Sequence, residues 1–260
     1  MKSCTNCNLV LSDEYKFCPE CSQNTRLHRL SIGEVIHQGI HFFTHADKGV
    51  FQLLRDLTLT TGTVAREYVD GRRKRYFPPL NFFLLVATIY VLVINLDGSP
   101  QSESIKDRPE IDQISDPVQR EKLTALYDRR DKAIQFIQKH SNLVSMASLP
   151  LSAFFFWLFY RRGRYNYTEH LVAGMYMSGF TTLLFTIAVL ANLLLRVPIN
   201  YVYALFFVMQ IGYFANFYYR FMNVQTKGKA VKAFFASFIS VFCLFLTSGT
   251  IVFLYMARVF

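Results

Sequence analysis

The stretch RRKRYFPPLNFFLLVATIYVLVINL, at residues 72–96, most constrains what this chain can fold into. Four consecutive cations open it, and the 19 residues at 78–96 carry no formal charge. A helix of 19 residues is about 28 Å long, close to the roughly 30 Å of hydrocarbon in a bilayer. The stretch therefore predicts a first membrane span at 78–96. Because inserted helices keep positive flanks on the cytoplasmic side, we expect the N-terminus inside.

Four further apolar blocks follow, and the charges between them predict a topology. The connection at 97–142 holds eight Lys or Arg against nine Asp or Glu, so it is expected outside the cytoplasm. Cations instead gather in two later connections, at Arg161, Arg162, Arg164, Arg220, Lys227, Lys229 and Lys232. This alternation predicts further spans near 143–160, 171–195, 201–219 and 233–257. The formal charge of +10 then reflects cations beside lipid headgroups rather than nucleic-acid binding.

Residues 1–26 carry two cysteine pairs with the spacing of a metal site. Cys4-x2-Cys7 and Cys18-x2-Cys21 are separated by ten residues, enough for a hairpin that brings four thiolates to one tetrahedral zinc ion. A segment this short cannot bury a core, so the zinc is expected to be structural. A redox dithiol is the weaker alternative. The ribbon has no dense basic and aromatic surface, which favours a protein contact over nucleic acid.

The backbone after each cysteine pair is expected to turn in a left-handed conformation. Asn8 and Ser22 stand where such knuckles often carry glycine. Asparagine tolerates the left-handed conformation, and serine does so less readily. The substitutions are a departure from the usual knuckle pattern.

Residues 27–77 are predicted to form juxtamembrane amphipathic helices. Ser31 followed by Glu34 is a capping box, which starts a helix with an aromatic and aliphatic face and an opposite polar face. A second amphipathic helix follows, and Thr63 to Asp70 reads as a third that stops at Gly71. Such helices can lie on the inner face of a membrane.

The polar residues of these helices raise a second, catalytic hypothesis. Histidines at i, i+4 and i+8 beside a glutamate can converge on one metal, provided that a further helix adds ligands. The residues of this hypothetical site are Glu34, His37, His41, His45, Glu169 and His170. A solvated or headgroup-facing surface is the simpler interpretation of the histidines. Asn166 with Glu169 resembles another capping box, which would leave His170 at the membrane interface.

An ordered set of motifs supports a family resemblance. The motifs are CTNC, FCPECSQ, HFFTHADKG, TTGTVAREYVDGRRKRYFPPLNFFLL and YNYTEHLV. In these the chain resembles a family of bacterial multi-spanning membrane proteins with an N-terminal zinc ribbon, classed as domain of unknown function 3667. The resemblance is close over residues 1 to about 95 and loose beyond them. It implies a multi-spanning inner-membrane protein with a cytoplasmic zinc ribbon, and it supplies no catalytic residues.

The sequence therefore predicts an all-α fold: a polytopic transmembrane helix bundle of about five spans with a small four-cysteine zinc ribbon. The leading functional hypothesis is a scaffold, regulatory or interaction role at the cytoplasmic face of the inner membrane. Its partners would be the lipid bilayer and a cytoplasmic protein, and the sequence is compatible with a homo-oligomer. A membrane-embedded metal-dependent enzyme is the alternative. A transporter is a third hypothesis, although no pair of Gly/Pro-interrupted spans occurs in matching halves.

Overall fold

The computed structural model describes residues 2–25, 29–36, 49–96, 116–139, 141–223 and 227–257. As the sequence predicted, the described chain is mostly helical, with a small ribbon at its start. In the ribbon β1 (Lys2–Ser3) and β2 (Val10–Leu11) pair antiparallel, and Lys2 stands opposite Leu11. An isolated bridge joins Phe17 and Asn24.

Eight longer helices follow the ribbon in the described ranges. They are α1 (Gly49–Leu59), α2 (Thr63–Val69), α3 (Pro79–Leu96), α4 (Pro117–Lys139), α5 (Ser141–Tyr160), α6 (Tyr167–Leu195), α7 (Ile199–Phe221) and α8 (Lys227–Ala257). A 3-10 turn at Arg73–Arg75 lies between α2 and α3. The turn before it contains Gly71 with φ of 116°, a conformation that favours glycine and ends α2.

Capping boxes begin two helical segments where the sequence placed them. The Ser31 N–H donates to Glu34 Oε2 (3.1 Å), the Glu34 N–H donates to Ser31 Oγ (3.3 Å), and residues 32–36 are helical. At α6 the Asn166 N–H donates to Glu169 Oε2 (2.6 Å), and Asn166 Oδ1 accepts from the Glu169 N–H (2.8 Å). Each box satisfies backbone donors that the first helical turn leaves open.

Two stretches in the described chain are long and apolar enough to cross a membrane. They are Arg73–Ile94, of 22 residues, and Tyr167–Leu195, of 29 residues. Shorter apolar helical stretches lie at Met146–Tyr160 and Ala230–Phe242. The membrane character of the chain therefore rests on α3 and α6, and the number of five spans stays a prediction.

The apolar helices pack side by side with definite directions. Phe82 of α3 lies against Gly179 of α6, and Tyr90 lies against Phe185 with ring centres 6.0 Å apart, so α3 and α6 run parallel. Helix α7 runs antiparallel to α6, because Phe180 meets Tyr213 (5.2 Å) while Phe185 meets Phe206 (4.7 Å). Parallel neighbours require the chain to return between them.

The largest hydrophobic core lies at the end of the bundle where α6 begins. We call this end the basic end because it gathers the cations of residues 72–75, Arg161, Arg162, Arg164 and Arg220. Every residue from Thr168 to Met177 is buried, so the start of α6 is enclosed on all sides. Helix α2 packs into this core: a methyl group added to Gly62 would lie 1.9 Å from the Phe217 carbonyl oxygen of α7. Helices α5 and α8 pack nearby, with Ser152 Oγ 2.9 Å from Ser240 Oγ.

Candidate metal centre and basic end

Four cysteines converge in the ribbon. The Sγ atoms of Cys4 and Cys21 are 3.6 Å apart, those of Cys7 and Cys18 are 3.5 Å apart, and all four lie within 4.8 Å of one another. A zinc ion bound to four thiolates at about 2.3 Å separates the sulfurs by about 3.8 Å. The thiols are therefore already close to the positions that a tetrahedral thiolate-preferring ion requires. Within the described ranges no other cluster of three or more His, Cys, Asp or Glu side chains has the ligand atoms close enough to hold a metal ion.

Two equivalent backbone turns hold these cysteines. The Asn8 N–H donates to the Cys4 carbonyl oxygen (2.9 Å), and the Ser22 N–H donates to that of Cys18 (2.8 Å). Asn8 has φ of 64° and Ser22 has φ of 56°. Both knuckles thus adopt the left-handed conformation that the sequence predicted at these positions. The missing glycines leave the geometry of the site intact.

Proton binding by this cluster competes with metal binding. A backbone hydrogen bond from Leu9 lowers the pKa of the Cys7 thiol. Removal from water and hydrogen bonds with the three neighbouring thiols outweigh this effect and raise the pKa to about 12. Deprotonation of several thiols this close together is therefore unfavourable unless a cation is present. A dication would replace the protons and supply the charge that the thiolates need.

The ribbon is fixed to the turn that leads into α3. The Arg72 side chain donates through Nε to the Thr5 carbonyl oxygen (3.2 Å), and Thr5 Oγ1 donates to the Gly71 carbonyl oxygen (3.5 Å). From the other knuckle, the buried Gln23 accepts from the Lys74 N–H through Oε1 (3.2 Å). Both halves of the cysteine site thus contact the segment between α2 and the first apolar helix.

An acidic residue of α2 organises the same cationic turn. Glu67 Oε1 accepts from Arg72 (3.1 Å), while Glu67 Oε2 accepts from the Tyr76 hydroxyl (2.8 Å) and lies 3.6 Å from Arg75. Asp56 of α1 adds a second carboxylate 3.8 Å from Arg75. Arg72 and Arg75 therefore pair with carboxylates of the protein, while their side chains stay 39% and 42% exposed. The sequence had assigned all four consecutive cations to the lipid surface.

The adjacent residues Glu169 and His170 have separate environments. Glu169 caps α6, and its second oxygen lies 4.0 Å from Arg29 Nε. His170 is fully buried; its Nδ1 is 3.4 Å from the Tyr218 hydroxyl, and its ring packs against those of Tyr160 and Phe221. The two side chains do not share a ligand position. Helical geometry turns successive side chains about 100° apart, which separates the pair.

The remaining residues of the hypothetical second site are only partly described. Glu34 uses its carboxylate in the capping box with Ser31. His37, His41 and His45 lie outside the described residues. Whether the six residues form a second metal site stays a prediction of the sequence.

The comparisons with known proteins bear on the segment that carries the charged turn. Residues 47–91 match the model of a family described as "Protein of unknown function (DUF3667)". The match confirms the family resemblance that the sequence motifs predicted, and the four-cysteine cluster fits it. The matched segment contains α1, α2, the cationic turn and most of α3. No curated protein and no solved structure matches the chain.

Sequence reasoning missed the residues that join the ribbon to the matched segment. Thr5 and Gln23 contribute contacts that no spacing rule singles out, because their partners lie about 50 to 70 residues away in the chain. Glu67 lies five residues before a run of cations in the sequence. That proximity of opposite charges was the available signal for the ion pairs.

Proposed function

We propose that the protein is a non-enzymatic, multi-pass protein of the cytoplasmic membrane whose zinc ribbon serves as a docking module for a cytoplasmic protein. The ribbon would bind one structural zinc ion through Cys4, Cys7, Cys18 and Cys21. Four thiolates leave no open coordination position for catalysis, so the metal would shape the ribbon rather than act on a substrate.

The observation that carries this proposal is the attachment of the ribbon to the turn before α3. Thr5 and Gln23, one from each cysteine knuckle, hydrogen-bond with the segment at residues 71–74. A metal-shaped module is thereby held at the charged end of an apolar helix, where it faces the aqueous phase. A rigid position relative to the membrane is what a docking module needs.

The outer surface of the ribbon supports a protein partner. Val10, Tyr15 and Phe17 are each about half exposed or more, at 63%, 49% and 60% of their surface. Aromatic side chains are enriched at protein interfaces. Exposed apolar side chains on so small a unit are therefore best explained by a partner that covers them.

The arrangement of helices supports the five-span topology with the N-terminus inside. The parallel α3 and α6 both begin at the basic end, and the antiparallel α7 ends there, with Arg220 in its last turn. Cations on one side of a bundle mark its cytoplasmic side. The family resemblance stated from the sequence motifs supports a bacterial cytoplasmic membrane as the location in this proposal.

Metal analysis and site-specific crosslinking test the proposal in the full-length protein. We expect one equivalent of zinc, lost in Cys18→Ser, and a reporter fused to the N-terminus that is active only inside the cell. A photo-crosslinker at Phe17 should capture a defined cytoplasmic protein, whereas one at the exposed Glu20 should not. A second metal equivalent that His41→Ala abolishes would overturn the proposal in favour of an enzyme. Equal crosslinking at both positions would also refute the docking face.

A further inference from the structure

A polar groove at the basic end is not used by the proposed docking function. It has a volume of about 280 Å³ and is lined by Arg29, Asp70, Arg73, Arg164, Tyr165 and Glu169, with Val69 at its apolar side. Binding sites for drug-sized molecules begin at about 300 Å³, so a groove of this size suits a small polar group. We call it the arginine groove.

Internal contacts hold the charged side chains around this space. Arg164 pairs with Asp70, and its guanidinium lies 4.5 Å from the centre of the Tyr165 ring. Burial raises the pKa of Tyr165 to about 12, so its hydroxyl is a neutral donor, and it lies 3.5 Å from Asp70 Oδ1. Pairing with Asp70 and stacking on Tyr165 orient the Arg164 guanidinium, and 61% of its side-chain surface is exposed.

Arg29 also lines the groove. It donates to the Arg164 carbonyl oxygen, and its Nε lies 4.0 Å from Glu169 Oε1, beyond hydrogen-bond distance. Glu169 is committed through its other oxygen to the cap of α6. The ion pair between Arg29 and Glu169 is therefore loose, and the side chain of Arg29 is 66% exposed.

The charges that line the groove do not cancel. Three guanidiniums face two carboxylates, which leaves a formal charge of +1. Guanidinium groups carry several N–H donors in a planar fork that matches the oxygens of a phosphate. A monoanion with phosphate oxygens would balance the charge and use the donors.

The position of the groove selects the source of such an anion. Arg73 stands shortly before α3, and Tyr165 stands just before α6, the two helices with membrane-spanning length. The groove therefore lies at the depth where lipid headgroups meet water, if the chain is inserted as proposed. Juxtamembrane cations at this depth attract anionic lipids.

We propose that the arginine groove binds the phosphodiester of an anionic glycerophospholipid headgroup. The assignment of a lipid source rests on the proposed membrane location, while the affinity for a phosphate oxyanion rests on the groove alone. Arg29 and Arg164 are the principal ligands.

Lipid titration of the full-length, zinc-loaded protein in detergent tests this site. Phosphatidylglycerol should raise Tm with a saturable dependence, and zwitterionic phosphatidylcholine should not. The double variant R29Q/R164Q should raise the half-saturating concentration of phosphatidylglycerol at least ten-fold. The matched control R161Q/R162Q removes the same charge from neighbouring exposed positions outside the groove and should change it less than two-fold.

A single variant and a second ligand complete the test. If R29Q/R164Q fails to fold, the single variant R29Q, which changes a mostly exposed side chain, should still weaken the effect at least three-fold. Inorganic phosphate that stabilises the protein as well as phosphatidylglycerol would keep the oxyanion site and refute the lipid source. Equal effects of the two lipids, or of the two double variants, would overturn the proposal. A protein with one zinc and an internal N-terminus that ignores phosphatidylglycerol would refute this site without touching the docking function.

Discussion

The ribbon at residues 2–25 and the core at the basic end are stabilised in different ways. In the ribbon, the buried apolar side chains are Cys4, Leu11 and Cys18. The basic end instead buries closely stacked rings, such as Phe156 on Tyr218 with centres 3.6 Å apart. We expect a unit as small as the ribbon to need a metal to fold, whereas dense packing of side chains stabilises the bundle. Perturbations should therefore separate the two regions.

Loss of the metal should have the largest effect, and it should be confined to the ribbon. Structural zinc contributes on the order of 10 kcal/mol to the folding of small metal domains. In Cys18→Ser we expect the amides of residues 2–25 to lose protection in hydrogen exchange, while Tm of the bundle changes little. The control Cys243→Ala, which removes a cysteine from α8, should keep both the amide protection of residues 2–25 and the Tm of the bundle. A matching fall in Tm for Cys18→Ser would show that the two regions fold as one.

Gly62→Ala should have the next largest effect, confined to the bundle. The added methyl would lie 1.9 Å from the Phe217 carbonyl oxygen, so α2 and α7 must separate. Gly62 has φ of −64°, which alanine adopts freely, so the loss of about 3 kcal/mol or more comes from overpacking. Gly212→Ala on α7 has open space and should be neutral or stabilising by up to about 1 kcal/mol. Thermal unfolding in detergent measures both, and equal stability of the two variants would refute the close approach.

Glu67→Gln should weaken the link between the regions by a smaller amount. The amide keeps the shape but removes the charge that Arg72 and Arg75 face and weakens the acceptor for Tyr76. We expect a loss of about 1–2 kcal/mol, with faster release of zinc to a chelator. Asp128→Asn breaks the exposed 3.2 Å pair with Lys132 and should cost less than about 0.5 kcal/mol. Equal losses of stability in Glu67→Gln and Asp128→Asn would show that the Glu67 ion pairs contribute no more than an exposed surface pair.

Ser22→Gly should give the smallest effect, a stabilised ribbon. Serine at φ of 56° is in a left-handed conformation that glycine adopts without a Cβ clash. We expect a gain of about 0.5 kcal/mol, seen as roughly two-fold slower transfer of zinc to a chelator. Asn8→Gly should gain less, because asparagine tolerates this conformation. A larger gain for Asn8→Gly than for Ser22→Gly would contradict the inference that the left-handed conformation is more strained at Ser22.

Short-range features of this fold were predictable. The capping boxes at Ser31 and Asn166 involve residues three positions apart, so sequence alone contains both partners. The cysteine cluster was also predictable, because two pairs at close spacing constrain a short hairpin. By contrast, the neighbours Glu169 and His170 suggested one site but lie in different environments, since the helix directs one toward the cap and the other into aromatic rings.

The sequence by itself determined the chemistry of the ribbon, the helical class and the apolar stretches that suit a membrane. These depend on residue types and on spacings of a few positions, which local geometry converts directly into structure. Only the tertiary structure decided that Glu67 pairs with the cations before α3, that both knuckles rest on that turn, and that three arginines meet in one groove. Those contacts join distant parts of the chain, and their partners are selected by how the helices pack rather than by any local pattern.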